Sequence, residues 1–386
     1  MDLFGEPEPT AKIIDPPPLG TIPPEEPEGL QHPRLMNTCK GHEAIERQLL
    51  KLFQEGRMPH GLIFSGPKGI GKATFAYRLA RFLLKQTAHD PNQNALFDAE
   101  TTQAENMDVQ SNDPVFRQVA SGGHTDFMTV ERAYDSAKDT YKDNVAVDDI
   151  RKINPFLRMT ASRAGGWRVV IIDDADTMNR NAQNALLKIL EEPPSNTAII
   201  LVCHRLGAMI PTIRSRTQTL SFQPMEASLF NTILEANGHA LSTDEQDTLY
   251  HLSEGSFGKA IDYIEHGGLE TLTTILSMFE NYPSWPWPDI HILADQLARA
   301  GQVKAYKSFE TLLPWIFSQM ITSKARGQEI TSQALKIQAI EVLHKQSSLE
   351  TLLKICENLN NHFERVDRAN LDKRQAVLGA FSIIAA

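Results

Sequence analysis

The sequence predicts a parallel α/β domain followed by two all-helical modules, on three observations. HGLIFSGPKGIGKATFAYRLARFLL, residues 60–84, reads as a short apolar strand, a glycine-rich turn and a long helix. WRVVII (Trp167–Ile172) and AIILVC (Ala198–Cys203) are continuous apolar runs of the kind found in strands buried on both faces, and they flank a helical stretch, Asn181–Glu192, stopped by Pro193-Pro194. After Phe222 the strand signals fade, and helical periodicity runs almost to the end of the chain. Strand, helix, strand in that order predicts a parallel sheet.

Size and composition agree with more than one domain. At 386 residues with 41 % hydrophobic side chains, the chain has enough apolar material for more than one core. No apolar run reaches the roughly 18–20 residues that cross a bilayer, so no membrane partner is expected. The first residues, MDLFGEPEPT, show neither a basic start nor an apolar stretch. The three cysteines, Cys39, Cys203 and Cys356, are far apart, which excludes a disulfide framework and suits a reducing cytoplasm. A net charge of −10 means that the chain is not expected to hold nucleic acid alone, because phosphate neutralisation requires clustered Lys and Arg.

In chain order, residues 1–30 (PEP, PPP, PPEEPEG) form a Pro/Glu-rich tail without apolar surface to bury, so disorder is expected there. Ile45, Leu49, Leu50 and Phe53 lie at helical spacing in Glu43–Phe53. Leu79, Phe82 and Leu83 give the helix after the glycine-rich turn its buried face. Residues 86–145 are polar and weakly periodic, with one strand expected at Phe127–Val130. Helical pattern restarts at Asp148. Short helices are expected over Met225–Gly267, then long ones from Leu269, broken near Asn281–Asp289 and Gly327–Ser332.

Gly66-Pro67-Lys68-Gly69-Ile70-Gly71-Lys72 fits the phosphate-loop pattern G-x-x-x-x-G-K in its strand–turn–helix setting. Glycines let the backbone curl its N–H groups toward phosphate oxygens, the helix N-terminus adds its positive dipole end, and Lys72 reaches the outer phosphates. The pattern then fails at one position. The residue after the lysine, whose hydroxyl would bind Mg²⁺, is Ala73; Thr74 comes one residue late, turned by roughly 100° around the helix. Val169-Val170-Ile171-Ile172-Asp173-Asp174 is an apolar strand ending in acid, which places Asp173 to hold Mg²⁺ through water. Asp174 stands where a Glu would orient attacking water and is one methylene, about 1.5 Å, too short.

DDADTMNRNAQNALLKILEEPP (173–194) followed by IPTIRSRTQTLSF (210–222) closely resembles the bacterial sliding-clamp loaders of the AAA+ superfamily. Their usual run is D-E-A-D, then A-Q-N-A-L-L-K-x-L-E-E-P-P, then Ser-Arg-Cys; here the last motif is Ser215-Arg216-Thr217. The resemblance implies an AAA+ nucleotide-binding-type domain over 31–222, a helical lid over 223–268 and a helical collar for oligomerisation over 269–386. It also implies that Arg216 projects in trans onto a neighbouring subunit's γ-phosphate, and that Leu312, Leu313, Ile316 and Ile321 lie partly in a collar interface; the alternative, expected for most of the four, is that they are core only. NLDKRQAVLGAF (370–381) looks like the last collar helix.

In the motor subunits of such loaders a lid Gly-Ser-x-Arg carries a phosphate-sensing Arg. Here Gly255-Ser256-Phe257-Gly258 puts Gly258 in the arginine's place, with Lys259 one position on. A first polar sensor would fall at Cys203 or His204. With Ala73, Asp174 and Gly258 all departing from the pattern, the expected member is a stator subunit with weak or absent ATPase of its own; the alternative is an ATP-hydrolysing motor subunit. Such a subunit belongs to the polymerase III holoenzyme but does not itself polymerise. The implied nucleotide is ATP or ADP, with Mg²⁺ only alongside it. Zinc is not implied, since no cysteine lies between Cys39 and Cys203. The implied partners are the motor and clamp-opening subunits, the sliding clamp and primer-template DNA.

Overall fold

The three central strands are apolar on both faces, and alternation sorts their side chains into two layers. In a computed structural model, which describes residues 31–86, 106–135, 140–159, 161–162 and 165–385, β1 (Gly61–Ser65), β2 (Phe127–Val130), β5 (Arg168–Ile172), β6 (Thr197–Cys203) and β7 (Gln218–Ser221) form one sheet in the order β2-β5-β6-β1-β7. All its pairings are parallel. Leu62, Phe64, Val169, Ile171, Ala198 and Ile200 face one way, toward α1 (Glu43–Gln54) and α2 (Lys72–Lys85). Ile63, Val170, Ile172, Ile199 and Leu201 face the other. There they meet α4 (Val147–Arg158) and α5 (Arg180–Glu191). Successive residues of a strand point to opposite faces, so helices on both sides are what such continuous runs require.

The described part of the polar stretch after α2, residues 106–135 and 140–145, holds more elements than the one strand expected. It contains α3 (Pro114–Ala120), begun by the Asp113 carboxylate on Val115 N, then β2 and a small antiparallel pair, β3 (Tyr134–Asp135) with β4 (Thr140–Tyr141). The tail expected at 1–30 lies outside the described residues. Arg81, almost fully buried, donates to the carbonyls of Met36 and Arg34 and stacks over Phe116, fastening the segment before α1 across α2.

Beyond β7 and the short α6 (Pro211–Arg214) the chain is helical, as expected. Three short helices, α7 (Ala227–Ala236), α8 (Thr243–Ser253) and α9 (Phe257–Glu265), share a small core around Phe230, Leu234 and Leu249. Six more follow: α10 (Gly268–Phe279), α11 (Trp287–Leu297), α12 (Val303–Arg326), α13 (Gln338–Gln346), α14 (Leu349–Ala369) and α15 (Lys373–Ala385). Here the structure corrects one expectation and decides between two others. The Asn281–Asp289 break is shorter than expected, since Trp287 already opens α11. Leu312, Leu313 and Ile316 are fully buried within this chain, packed with Phe309, Phe317 and Phe363, so they are core and have no surface left for an interface. Ile321 is only partly buried against the same core.

Candidate phosphate-loop site

The loop Gly66–Lys72 joins β1 to α2 at the carboxyl end of the sheet, where parallel α/β folds bind ligands. Gly69 and Gly71 take positive φ (80° and 95°), the curl that turns successive N–H groups to one side. No side chain caps α2, so its first N–H groups have no capping partner. His42, buried, has Nε2 at 2.7 Å from Ile70 O, and the Cys39 thiol points at Gly71 O; these two residues brace the loop from outside. Burial pushes the Cys39 thiol up to about 12, so it stays protonated.

Lys72 is 2 % exposed and folds back on the loop, donating from Nζ to Gly66 O (2.7 Å) and Pro67 O. Burial lowers its pKa to about 8, with the Asp173 charge opposing the shift. Ala73 and Thr74 follow in the first turn of α2. These features fit a phosphate group: curled backbone donors, a helix start and a buried cation. They do not fit a magnesium ion equally well, since the residue after the lysine offers a methyl where a hydroxyl would serve.

Asp173 and Asp174 follow β5 and have opposite electrostatics. Burial, with the neighbouring Asp174 charge, raises Asp173 to about 6. Asp174 sits in the left-handed region (φ 46°), and both its oxygens are engaged: Oδ1 accepts from His204 Nε2 at 2.9 Å, Oδ2 from Arg132 Nε at 2.7 Å. The His204 hydrogen bond, joined by the Arg132 charge, holds it at about 2. Asp174 is thus an anchored anion rather than a free carboxylate aimed at water.

Of the two positions considered for a first sensor, Cys203 is fully buried at the end of β6, in the core shared with α4 and α5. His204 is the one beside the acid pair. Its backbone N–H donates to Asp176 Oδ1 (2.9 Å), and its Nδ1 is buried with no partner among the described residues. Arg132 went unread in the sequence: it is a lone Arg in a polar segment, with no spacing to announce it. Its ring neighbour Tyr141, 5.8 Å away, belongs to an equally silent segment.

Gly258 proves to be more than a missing arginine. The start of α9 lies on the phosphate loop: Ser256 Oγ donates to Lys68 O and Gly258 N to Gly69 O, each at 2.8 Å. A Cβ on Gly258 would come within 2.8 Å of Gly69 Cα, so a side chain at 258 does not fit this lid position. Lys259 points away, toward Glu254 (3.3 Å).

Arg216 lies elsewhere, just past α6 at the opposite end of β1 and β7 from the loop. Its guanidinium is partly exposed and meets Glu191 Oε1 at 3.0 Å and Thr212 O at 3.1 Å. The structure therefore gathers Gly66–Thr74, Asp173 and Asp174 at one site and leaves Arg216 outside it. Among the described residues no group of three or more His, Cys, Asp or Glu could hold a metal ion, and no helix is long and apolar enough to cross a membrane.

Residues 41–226 match a protein family described as "DNA polymerase III, delta subunit". The chain is 24 % identical over 237 residues to a replication factor C small subunit of Methanocella arvoryzae, covering 60 % of each chain. It is 26 % identical over 253 residues to that of Sulfolobus acidocaldarius, covering 64 % of each. Over 157 residues, 41 % of each chain, it is 32 % identical to the DNA polymerase III subunit delta' of Pseudomonas aeruginosa. The chain thus spans less than two thirds of the length of these relatives. Among solved structures, a DNA polymerase III gamma subunit-related protein of Thermotoga maritima aligns over 88 % of this chain and 98 % of its own, at 15 % identity and a TM-score of 0.42. The RuvB Holliday junction branch migration motor of the same organism aligns over 81 % and 92 %, at 13 % and 0.38. Residues 41–226, a little under half of the chain, are thus similar to the DNA polymerase III delta-subunit family, and the longer matches are to replication factor C small subunits.

Proposed function

We propose that the chain is the stator, delta-prime, of a bacterial DNA polymerase III clamp loader, a cytoplasmic subunit that helps place the sliding clamp on primed DNA. Residues 31–222, 223–268 and 269–386 then serve as nucleotide-type domain, lid and collar. The motor subunits (gamma/tau) and the delta subunit are its direct partners; the clamp and primer-template DNA are reached through the assembly.

The observation that carries this reading is Ala73 at the head of α2. The loop keeps every part that holds a phosphate and lacks the hydroxyl that would hold the metal. Anchored Asp174 and close-packed Gly258 support it, because a site built to hydrolyse needs a water-orienting carboxylate and a cation over the outer phosphate. ATP or ADP binding without rapid turnover is consistent with all three. Arg216, exposed and remote from its own loop, is available to a neighbour, and such a trans arginine is worth roughly 10³–10⁵ in rate in comparable enzymes.

A second reading is a motor subunit that hydrolyses ATP itself. The names of the relatives favour it, since most are called replication factor C small subunit and the delta' match spans a shorter stretch. ATP turnover by the isolated chain separates the two. The stator reading expects none above background, with or without Lys72→Ala. Turnover that Lys72→Ala abolishes would establish the motor instead.

A further inference from the structure

Arg216 is held at its backbone and again at its guanidinium. Its N–H donates to Ile213 O at 3.0 Å, and Thr217 Oγ1 donates to the same carbonyl at 2.9 Å. The Thr217 methyl lies where a Cβ on Gly61 would come within 2.8 Å, so the residues around 216 are pressed against the start of β1. The guanidinium then turns inward along its own surface. Nη1 donates to Thr212 O and Nη2 pairs with Glu191, whose carboxylate ends α5. His60, Leu190, Ser215 and Gln218 line the shallow recess around the pair. Both terminal nitrogens, the pair that would grip a phosphate, are thereby taken by this chain itself.

We propose that Glu191 is a positioning residue for Arg216: it keeps the guanidinium folded on its own subunit until a phosphate group on a neighbouring molecule displaces it. The proposal rests on the trans role of Arg216. Both partners of the ion pair are partly exposed, 38 % and 49 %, so water and salt weaken it. A phosphate accepting two parallel N–H bonds is the stronger partner, because it offers charge and fork geometry together. Glu191 therefore sets a threshold: the finger is released when a neighbour presents phosphate, not when subunits merely touch.

The test uses Glu191→Gln, which removes the charge and keeps the shape. In mixed complexes with motor subunits, Glu191→Gln should lower the amount of this chain needed for half-maximal ATP turnover by about two- to fivefold, the usual worth of an exposed pair, and the shift should fall on that amount rather than on the plateau. The gain should shrink in high salt. In the Arg216→Ala background Glu191→Gln should do nothing further. A lowered plateau, or an effect that persists without Arg216, overturns the proposal. In parallel, a double-mutant cycle of thermal unfolding on the isolated chain should show coupling between 191 and 216; additive effects also overturn it. If the cycle shows coupling but Arg216→Ala leaves mixed-complex turnover unchanged, the trans reading fails and takes the proposal with it.

Discussion

Two adjacent aspartates, identical in composition, are driven apart by their surroundings. Asp174 accepts two charge-assisted hydrogen bonds and drops to about 2, while Asp173 loses water and rises to about 6. The linkage signs are opposite. Asp174 contributes stability above its unfolded pKa near 4 and loses it as pH falls toward 2. Asp173 is easier to protonate when folded, so its charge costs stability as pH climbs from about 4 through 6. Asp173→Asn should therefore stabilise the chain by about 1–2 kcal/mol at pH 7.5 and by almost nothing at pH 4, measured as the shift in thermal midpoint. Equal effects at both pH values would show that the Asp173 carboxylate is not held in its charged form against a burial penalty. The chemistry of this pair was half legible in the sequence. The acidic strand end is a pattern; the partners Arg132 and His204 are 42 and 30 residues from Asp174 and carry none.

Among the elements, β1, β5 and β6 were readable because each is an unbroken apolar run, which only a strand covered on both faces tolerates. β7 escaped notice. Its sequence is QTLS, and only Leu220 is buried, since it is an edge strand held by backbone pairing to β1. The contact of α9 with the phosphate loop was equally hidden, because Ser256 and Lys68 are 188 residues apart. Gly258 read as the loss of an arginine; the fold shows a glycine required by close approach. Gly258→Ala should cost about 1–3 kcal/mol in chemical unfolding, the range for forcing a methyl into packed space. Gly207→Ala, where nothing lies within 4 Å of the added carbon, should stay within about 0.5 kcal/mol. A tolerated alanine at 258 would mean that α9 does not rest on the loop in solution.

At the scale of the whole molecule, the sheet has one core on each face, and the two share β1, β2, β5 and β6, so they should melt together. The C-terminal helices build a separate core around Phe309, Leu312 and Phe317, into which Leu252 of α8 also inserts. Calorimetry should accordingly resolve two transitions, one lowered by Leu201→Ala and the other by Phe309→Ala. A single transition lowered equally by both would contradict independent cores. The helical half was legible only as helices. Which apolar residues are core and which face a partner depends on how helices far apart in sequence pack. For that reason the sequence leaves Leu312, Leu313 and Ile316 open between core and interface, and the fold puts them in the core.

The proposed function joins these scales in one asymmetry: a loop shaped for phosphate but poorly furnished to cleave it, and a partly exposed arginine at the far end of the sheet that the proposal assigns to another subunit's site. The most direct measurement is ATP turnover by the complex reconstituted with motor subunits, comparing Lys72→Ala with Arg216→Ala in this chain. The account predicts near-normal turnover with Lys72→Ala and a loss of at least about tenfold with Arg216→Ala, the complex remaining assembled in both. Turnover lost with Lys72→Ala and kept with Arg216→Ala would contradict it.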